Sequence, residues 1–151
     1  MITGRCRCEA VHYRLNGPPL FTHACHCLDC QRQTGTAFWM ATIVLRADLY
    51  VTRGTLSPRQ KSARSTEQRC AVCDAALYVE STQFPVSVIL RSGTLDDPRV
   101  AIPQAHIWVK RKQPWLTLPT GVPLFEEGYD PSTTWPADSL ARLRAAELAR
   151  S

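Results

Sequence analysis

The sequence lacks a long apolar run. None of its hydrophobic stretches approaches the roughly 18 residues that a membrane-spanning helix needs, and its composition, 44% hydrophobic and 21% charged residues, is ordinary for a soluble globular chain. Residues 1–15 carry charges at Arg5, Arg7, Glu9 and Arg14 and have no continuous apolar segment of the kind found in secretory signals. We therefore expect a cytoplasmic protein that does not contact membranes.

Cysteine is absent after position 73. The first half of the chain holds all seven cysteines, at positions 6, 8, 25, 27, 30, 70 and 73. An odd number would leave a disulfide framework with one unpaired thiol, and in a reducing compartment clustered cysteines indicate metal or redox chemistry more often than disulfides. The distribution therefore predicts metal centres built from thiolates.

The excess of positive charge is small. The chain has 18 Lys and Arg against 13 Asp and Glu, a formal net charge of +5. A zinc ion bound by four thiolates changes the charge by about −2 and one bound by three by about −1, so the loaded protein would carry about +2. We therefore do not expect nucleic acid as a partner.

The hydrophobic pattern predicts a mainly β protein with a short C-terminal helix. At 151 residues the chain has the length of one domain. Short apolar or alternating segments predict strands over 11–15, 37–45, 49–52, 76–79, 86–90 and 105–109. The polar segment 57–68 predicts an exposed loop or a ragged edge strand, and 114–136 is rich in proline and predicted to be irregular. Asp138 is a candidate cap for a helix over 139–150.

Four of the cysteines have the spacing of a structural zinc site. If the chain is extended at Cys6 and Cys8, residues i and i+2 share a face and both sulfurs lie on one side. A tight turn between Cys70 and Cys73 would bring a second pair of sulfurs together. Four thiolates form the closed tetrahedral set of structural zinc, with Zn–S near ~2.3 Å. Such a site would join the first strand to a turn much later in the chain.

The remaining cysteines predict a second, open site. Cys25, Cys27 and Cys30 supply three thiolates, and zinc with three protein ligands and an open fourth position is typical of catalysis. His26 is an alternative fourth ligand that would close the site, although it faces away from Cys25 and Cys27 in an extended chain. Of the other histidines, His106 is a better candidate than His23 for a role in a pocket.

These residues resemble the centromere protein V / glutathione-dependent formaldehyde-activating enzyme (GFA) family. The resemblance spans residues 4–115. It lies in the segments 4–8, with Val11 and Tyr13; 25–35, with Phe38; 70–73; 92–98; 106–107; and 112–115. It implies a β-tent fold, a structural zinc on Cys6, Cys8, Cys70 and Cys73, and a second, more labile zinc on Cys25, Cys27 and Cys30.

The resemblance also suggests a division of the chain and shows where this sequence departs from the family. We expect a GFA-like zinc-binding domain over 1–137 and a helical tail over 138–151. Glu9 and Asp74 occupy positions where the family usually has glycine, and Arg69 replaces an aromatic residue. Asp tolerates a left-handed backbone better than most residues do. Glu9 is therefore the less favourable replacement.

The open site and the resemblance together suggest a carbon–sulfur lyase. Zinc coordination deprotonates a thiol, and we expect Cys25, Cys27 and Cys30 to support addition of a glutathione-like thiol to an aldehyde such as formaldehyde. Arg32 is a candidate partner for a substrate carboxylate. Trp39 and His106 are further candidates for substrate binding, and Phe38 and Trp108 for the pocket wall.

Two other classes of protein remain open at this point. One is a non-catalytic zinc-stabilised module that binds protein or nucleic acid, which the basic segments 59–69 and 110–112 would support. The other is a thiol-redox enzyme, which would need a nucleophilic cysteine outside the two zinc sets. Because no cysteine follows Cys73, the pattern argues against this redox class.

Overall fold

The computed structural model describes residues 1–150 as two β-sheets that share one core. Ser151, the last residue of the predicted tail, lies outside the described residues. The small sheet has the order β1 (Ile2–Arg5), β2 (His12–Leu15), β5 (Leu49–Arg53). The large sheet has the order β10 (Ala105–Ile107), β3 (Phe21–Cys25), β4 (Trp39–Leu45), β9 (Ser87–Arg91), β8 (Ala76–Ser81), β7 (Ser65–Cys70), β6 (Leu56–Ser62).

The strands are antiparallel except for β10, which runs parallel to β3. The helices are α1 (Leu28–Thr34), α2 (Pro131–Thr134) and α3 (Ala137–Arg150). Within residues 1–150, no helix combines the length and the apolar character needed to cross a bilayer. The predicted mainly β fold with a C-terminal helix is confirmed.

Four strands were not predicted outright from the sequence, namely β1, β3, β6 and β7. The segment predicted as a loop or edge strand forms most of the β6–β7 hairpin, with β6 at the exposed edge of the large sheet. Its side chains are polar on both faces, so no alternation marks it. Strand β1 contains Gly4, where a Cβ atom would lie 2.2 Å from Tyr13 Cζ. Its glycine serves this close packing and weakens the strand pattern.

The main core lies between the sheets. Tyr13 and Leu15 of β2 pack with Val44 and Leu90 of the large sheet, and all four are at most 2% exposed. Cys6 and Cys70 belong to the same cluster. Two of the cysteines predicted to bind structural zinc are therefore part of the hydrophobic core that joins the sheets.

The opposite face of the large sheet, here called the front face, carries the second cysteine set. Cys25 pairs in register with Trp39 of β4 and with Ile107 of β10, and His23 pairs with Ala41. Since residues that pair across strands point to the same side, these side chains share the front face. The C-terminal segment covers part of it with the side chains of Phe125, Tyr129, Trp135 and Leu143.

Helix α3 is anchored beside this face. Ser139 Oγ donates a hydrogen bond to the Leu20 carbonyl at 2.6 Å, and Arg142 pairs with Asp48 at 3.0 Å. Leu143 packs against the cluster formed by Leu20 and Phe21. The C-terminal segment is thus held by both polar and apolar contacts.

We predict that Gly54→Ala destabilises the protein by about 2 kcal/mol or more. Gly54 has φ of 86°, and a Cβ atom there would lie 2.2 Å from the carbonyl oxygen of Ala10. Ala10 belongs to the turn that carries the first two cysteines. Urea unfolding measures the effect. Gly128→Ala is the control, because a Cβ atom there meets nothing within 4 Å. An unchanged unfolding midpoint for Gly54→Ala would contradict this account.

Candidate metal centres

The first cluster, here called the quartet, consists of Cys6, Cys8, Cys70 and Cys73. Their sulfur atoms all lie within 4.8 Å of one another. The Cys6 and Cys8 sulfurs are 3.5 Å apart, and those of Cys8 and Cys70 are 3.8 Å apart. In a tetrahedron with Zn–S distances near ~2.3 Å, neighbouring sulfurs are about 3.8 Å apart. The sulfur arrangement therefore fits zinc with little adjustment.

Each half of the quartet is a turn stabilised by bonds to its first cysteine. The backbone N–H groups of Val11 and Val72 donate to the sulfurs of Cys6 and Cys70 at 3.3 and 3.4 Å. The segment from Cys6 to Cys8 is itself a turn, so the extended geometry expected there from the sequence is wrong. The N–H of Glu9 closes it by donating to the Cys6 carbonyl at 3.0 Å.

Both departures from glycine occur at left-handed backbone positions. Glu9 has φ of 61° and Asp74 has φ of 57°. At the second turn, Arg69 Nε donates to Asp74 Oδ1 at 2.8 Å, and Arg59 also contacts this carboxylate at 3.1 Å. The hydrogen bond from Arg69 lowers the pKa of Asp74. Arg69 and Asp74 are thus coupled replacements, whereas Glu9 has an exposed ion pair with Arg5 at 3.3 Å.

The second cluster, here called the trio, consists of Cys25, Cys27 and Cys30, with sulfurs within 4.8 Å of one another. Cys25 ends β3, Cys27 is the N-cap of α1, and Cys30 lies in the first turn of that helix. The Cys30 N–H donates to the Cys27 sulfur at 3.3 Å. Within residues 1–150, no other Cys, His, Asp or Glu joins this group. The trio thus offers three ligands to a metal, the number typical of open sites.

Each cluster contains a thiol that ionises readily. The hydrogen bond from Cys30 lowers the pKa of Cys25 to about 6, although burial acts in the opposite direction. Burial also raises the pKa of Cys6, but bonds from the Val11 N–H and from the Cys8 and Cys70 thiols bring it down to about 6. The thiolate is the form of cysteine that binds metal. Both donor sets therefore suit a soft divalent cation such as zinc.

Two of the candidate histidines, His26 and His106, lie on the side of the strands opposite to the trio. His106 pairs with Ala24 and so faces away from the front face, and its Nδ1 is 2.9 Å from His26 Nε2. Burial lowers the pKa of both rings, that of His26 to about 4, so both are neutral at pH 7. In this structure His26 bonds to His106 and is not grouped with the trio sulfurs.

Arg32 and Trp39 lie on different sides of α1. Arg32 is exposed and lines a shallow cavity of about 610 Å³ together with Gln113 and Trp115. Trp39 packs against the trio from β4. Of the three residues predicted to contact substrate, Trp39 thus packs against the trio, whereas Arg32 lines the shallow cavity and His106 lies on the other side of the sheet.

A cationic group over Trp39 was not foreseen from the sequence. The Arg91 guanidinium lies 4.4 Å and the Lys61 ammonium 5.7 Å from the centre of the indole ring. Lys61 Nζ donates to Gln33 Oε1 of α1 at 2.8 Å, and Arg91 donates to buried Glu67 at 2.6 Å. Burial raises the pKa of Glu67, but the bonds from Arg91 and Arg69 outweigh it and keep the group ionised. No sequence motif links these residues, because the register of four strands brings them together.

A family model described as glutathione-dependent formaldehyde-activating enzyme matches residues 1–111, which include both cysteine clusters. The chain belongs to this family. A protein of Rhodobacter sphaeroides with a crystal structure is similar to it, with a TM-score of 0.52 and 23% identity, over 64% of this chain and 92% of the other. That likeness supports the fold. No curated protein matches the chain. Residues 112–150, which contribute α2 and α3, lie beyond the family match.

We predict that Glu9→Gly stabilises the zinc-loaded protein by about 1 kcal/mol, because glycine adopts the left-handed backbone without strain. Asp74→Gly is the matched comparison. This substitution relieves similar backbone strain but removes the contacts with Arg69 and Arg59. We therefore expect the free energy of unfolding to rise little or to fall. Urea unfolding and competition with a zinc chelator measure both variants. A Glu9→Gly protein that is less stable than the parent would contradict the prediction.

Proposed function

We propose that the trio is the catalytic centre of a zinc-dependent carbon–sulfur lyase and that the quartet binds a structural zinc. Glutathione or a related thiol is the co-substrate and an aldehyde the second substrate. The observation that carries the proposal is the trio, a set of three converging sulfurs without a fourth protein ligand among residues 1–150. Membership in the glutathione-dependent formaldehyde-activating family supports the same reaction class.

The reaction forms one carbon–sulfur bond and leaves the oxidation states unchanged. Zinc bound to the trio would lower the pKa of a substrate thiol at its fourth position. The thiol loses its proton to solvent, its sulfur adds to the carbonyl carbon, and the carbonyl oxygen takes up a proton to become a hydroxyl. The reverse reaction cleaves the same bond. Holding the two reactants together supplies much of the rate enhancement.

The cationic group over Trp39 would orient the thiol. Lys61 and Arg91 lie on the ring that packs against Cys25 and Cys30, and Gln33 links Lys61 to the helix that carries Cys30. Arg91 is already paired with Glu67, so Lys61 has the more available charge. A substrate carboxylate beside Lys61 would place the thiol end of the same molecule towards the trio. Arg32, on the exposed side of α1, is a second candidate for the same task.

The alternatives from the sequence gain less support. Several residues of the basic segment are paired with carboxylates, Arg59 with Asp74 and Arg69 with both Glu67 and Asp74. Lys110 likewise contacts Glu127. These pairs reduce the charge offered to a polyanion. All seven cysteines belong to the quartet or the trio, which leaves none as an independent redox nucleophile.

We predict that Cys27→Ser removes one zinc and lowers the thiol–aldehyde rate by about 100-fold or more, with little change in unfolding free energy. Metal analysis, a glutathione-plus-aldehyde assay and urea unfolding test this. Cys73→Ser is the comparison, because loss of the structural zinc should mainly lower the free energy of unfolding. An unchanged product rate in a Cys27→Ser protein that has lost the second metal would refute the catalytic role.

We predict that Lys61→Gln raises the KM for glutathione about two- to fivefold and leaves kcat nearly unchanged, the effect of one exposed ion pair. Cysteamine, a thiol without a carboxylate, is the control substrate, and its KM should not change. Steady-state assays with both thiols provide the measurement. Equal effects on the two thiols would show that Lys61 does not bind the carboxylate.

A further inference from the structure

An apolar cavity lies on the front face, beneath the C-terminal segment. Its volume is about 740 Å³, within the range of roughly 300–1,000 Å³ that small-molecule sites occupy. One wall is the large sheet, and the other is formed by Tyr129, Trp135 and Leu143. These three residues lie in the part of the chain beyond the family match.

The wall formed by the large sheet, here called the floor of the cavity, is apolar. Ile43, Ile89 and Val79 pair in register across β4, β9 and β8 and form a row of branched side chains. Trp135 and Leu143 face them from the C-terminal segment. A ligand in this space would bury an apolar body against both walls.

The cavity has a polar group at the end nearer the trio. His23 Nδ1 is 2.9 Å from the Tyr129 hydroxyl, which accepts a bond from Trp135 Nε1 at 3.1 Å. Because the Tyr129 oxygen accepts the bond from Trp135, the Tyr129 hydroxyl can donate its own proton to His23 Nδ1. Nδ1 is then an acceptor, so the neutral imidazole ring carries its proton on Nε2. Within residues 1–150, the bond to Tyr129 is the one hydrogen bond that the His23 ring makes, and it does not involve Nε2. Nε2 is a donor suited to a carbonyl oxygen.

Strand β3 connects this donor to the trio. His23 and Cys25 are two residues apart on the same face, about 7 Å along the strand. Ile107 pairs with Cys25, packs against the trio and also lines the cavity. The cavity therefore begins one side chain away from the trio, and its lining extends to Phe84 and Arg150.

We propose that this cavity receives the apolar part of the carbonyl substrate, so that the preferred aldehyde is medium-chain or aromatic rather than formaldehyde. The inference rests on the proposed function. His23 Nε2–H donates to the carbonyl oxygen, and the chain of the aldehyde lies along Ile43, Ile89 and Val79. The sulfur adds to the carbonyl carbon as described above, and the resulting alkoxide takes a proton from water.

An aldehyde series tests this proposal with the zinc-loaded protein and glutathione. We expect kcat/KM to rise from formaldehyde through butanal to octanal, by up to about fourfold for each methylene that enters the cavity. Binding of 1-octanol, an unreactive probe, should be detectable by calorimetry. A kcat/KM that falls from formaldehyde to octanal, with no binding of octanol, would overturn the inference.

Variants on the two walls distinguish an effect on the cavity from a general effect on the stability of the protein. Ile89→Phe fills the floor and should shift the preferred chain length downwards, whereas Leu143→Ala enlarges the space and should shift it upwards. Ile102→Phe, at a site that is 67% exposed, is the matched control and should change neither. An unshifted preference in both wall variants would count against the site.

The same experiment separates this inference from the proposed function. Binding of octanol that Ile89→Phe abolishes, without turnover of any thiol–aldehyde pair, would support the apolar site and refute the lyase. Turnover of formaldehyde alone, without octanol binding, would support the lyase and overturn the proposed substrate.

Discussion

Four converging sulfurs link two parts of the chain that are distant in sequence. The turn between β1 and β2 belongs to the small sheet, and the turn between β7 and β8 belongs to the large one. Structural zinc sites contribute on the order of 10 kcal/mol to folding, comparable with the total stability of a typical domain. A zinc in the quartet would therefore stabilise the same interface between the two sheets that Tyr13, Leu15, Val44 and Leu90 bury.

The alternation of side chains along β3 separates two kinds of chemistry. Cys25 and His23 face the front, where the trio and the apolar cavity lie. Ala24 and the histidine pair lie on the other side, where burial lowers the pKa of both His26 and His106 and keeps them neutral. Because His26 is held by His106, the trio contains sulfur ligands alone. A purely thiolate set suits zinc.

Spacing along the chain was enough to predict both cysteine clusters. The pairs at 6 and 8 and at 70 and 73 have ligand spacing, and the set at 25, 27 and 30 lies at the junction of a strand and a helix, where local geometry decides the positions of the sulfurs. The backbone at Cys6 and Cys8 was predicted less well. Its turn depends on the left-handed conformation of Glu9, which a glutamate in the sequence does not indicate.

The cationic group over Trp39 and the cavity beneath the C-terminal segment depend on tertiary structure. Lys61, Glu67 and Arg91 come from three strands, and their meeting follows from the register of β6 through β9. The cavity depends on the placement of Tyr129 and Trp135, which lie in the proline-rich segment without a periodic pattern, and of Leu143 in α3. In such regions the side chains are positioned by contacts with the sheet, and these contacts cannot be derived from local sequence.

Under the proposed function, the position of the C-terminal segment would give it an influence on specificity. The family match ends at residue 111, so it includes the quartet, the trio and His23, while one wall of the cavity is contributed by residues that follow it. Tyr129 serves both regions, since it bonds to His23 and packs against the cluster that contains Cys25 and Cys30. A change in this segment would alter the space beside the trio without altering its sulfurs. Under the proposed function, the reaction chemistry would depend on the matched part of the chain, whereas the substrate size would depend on both parts.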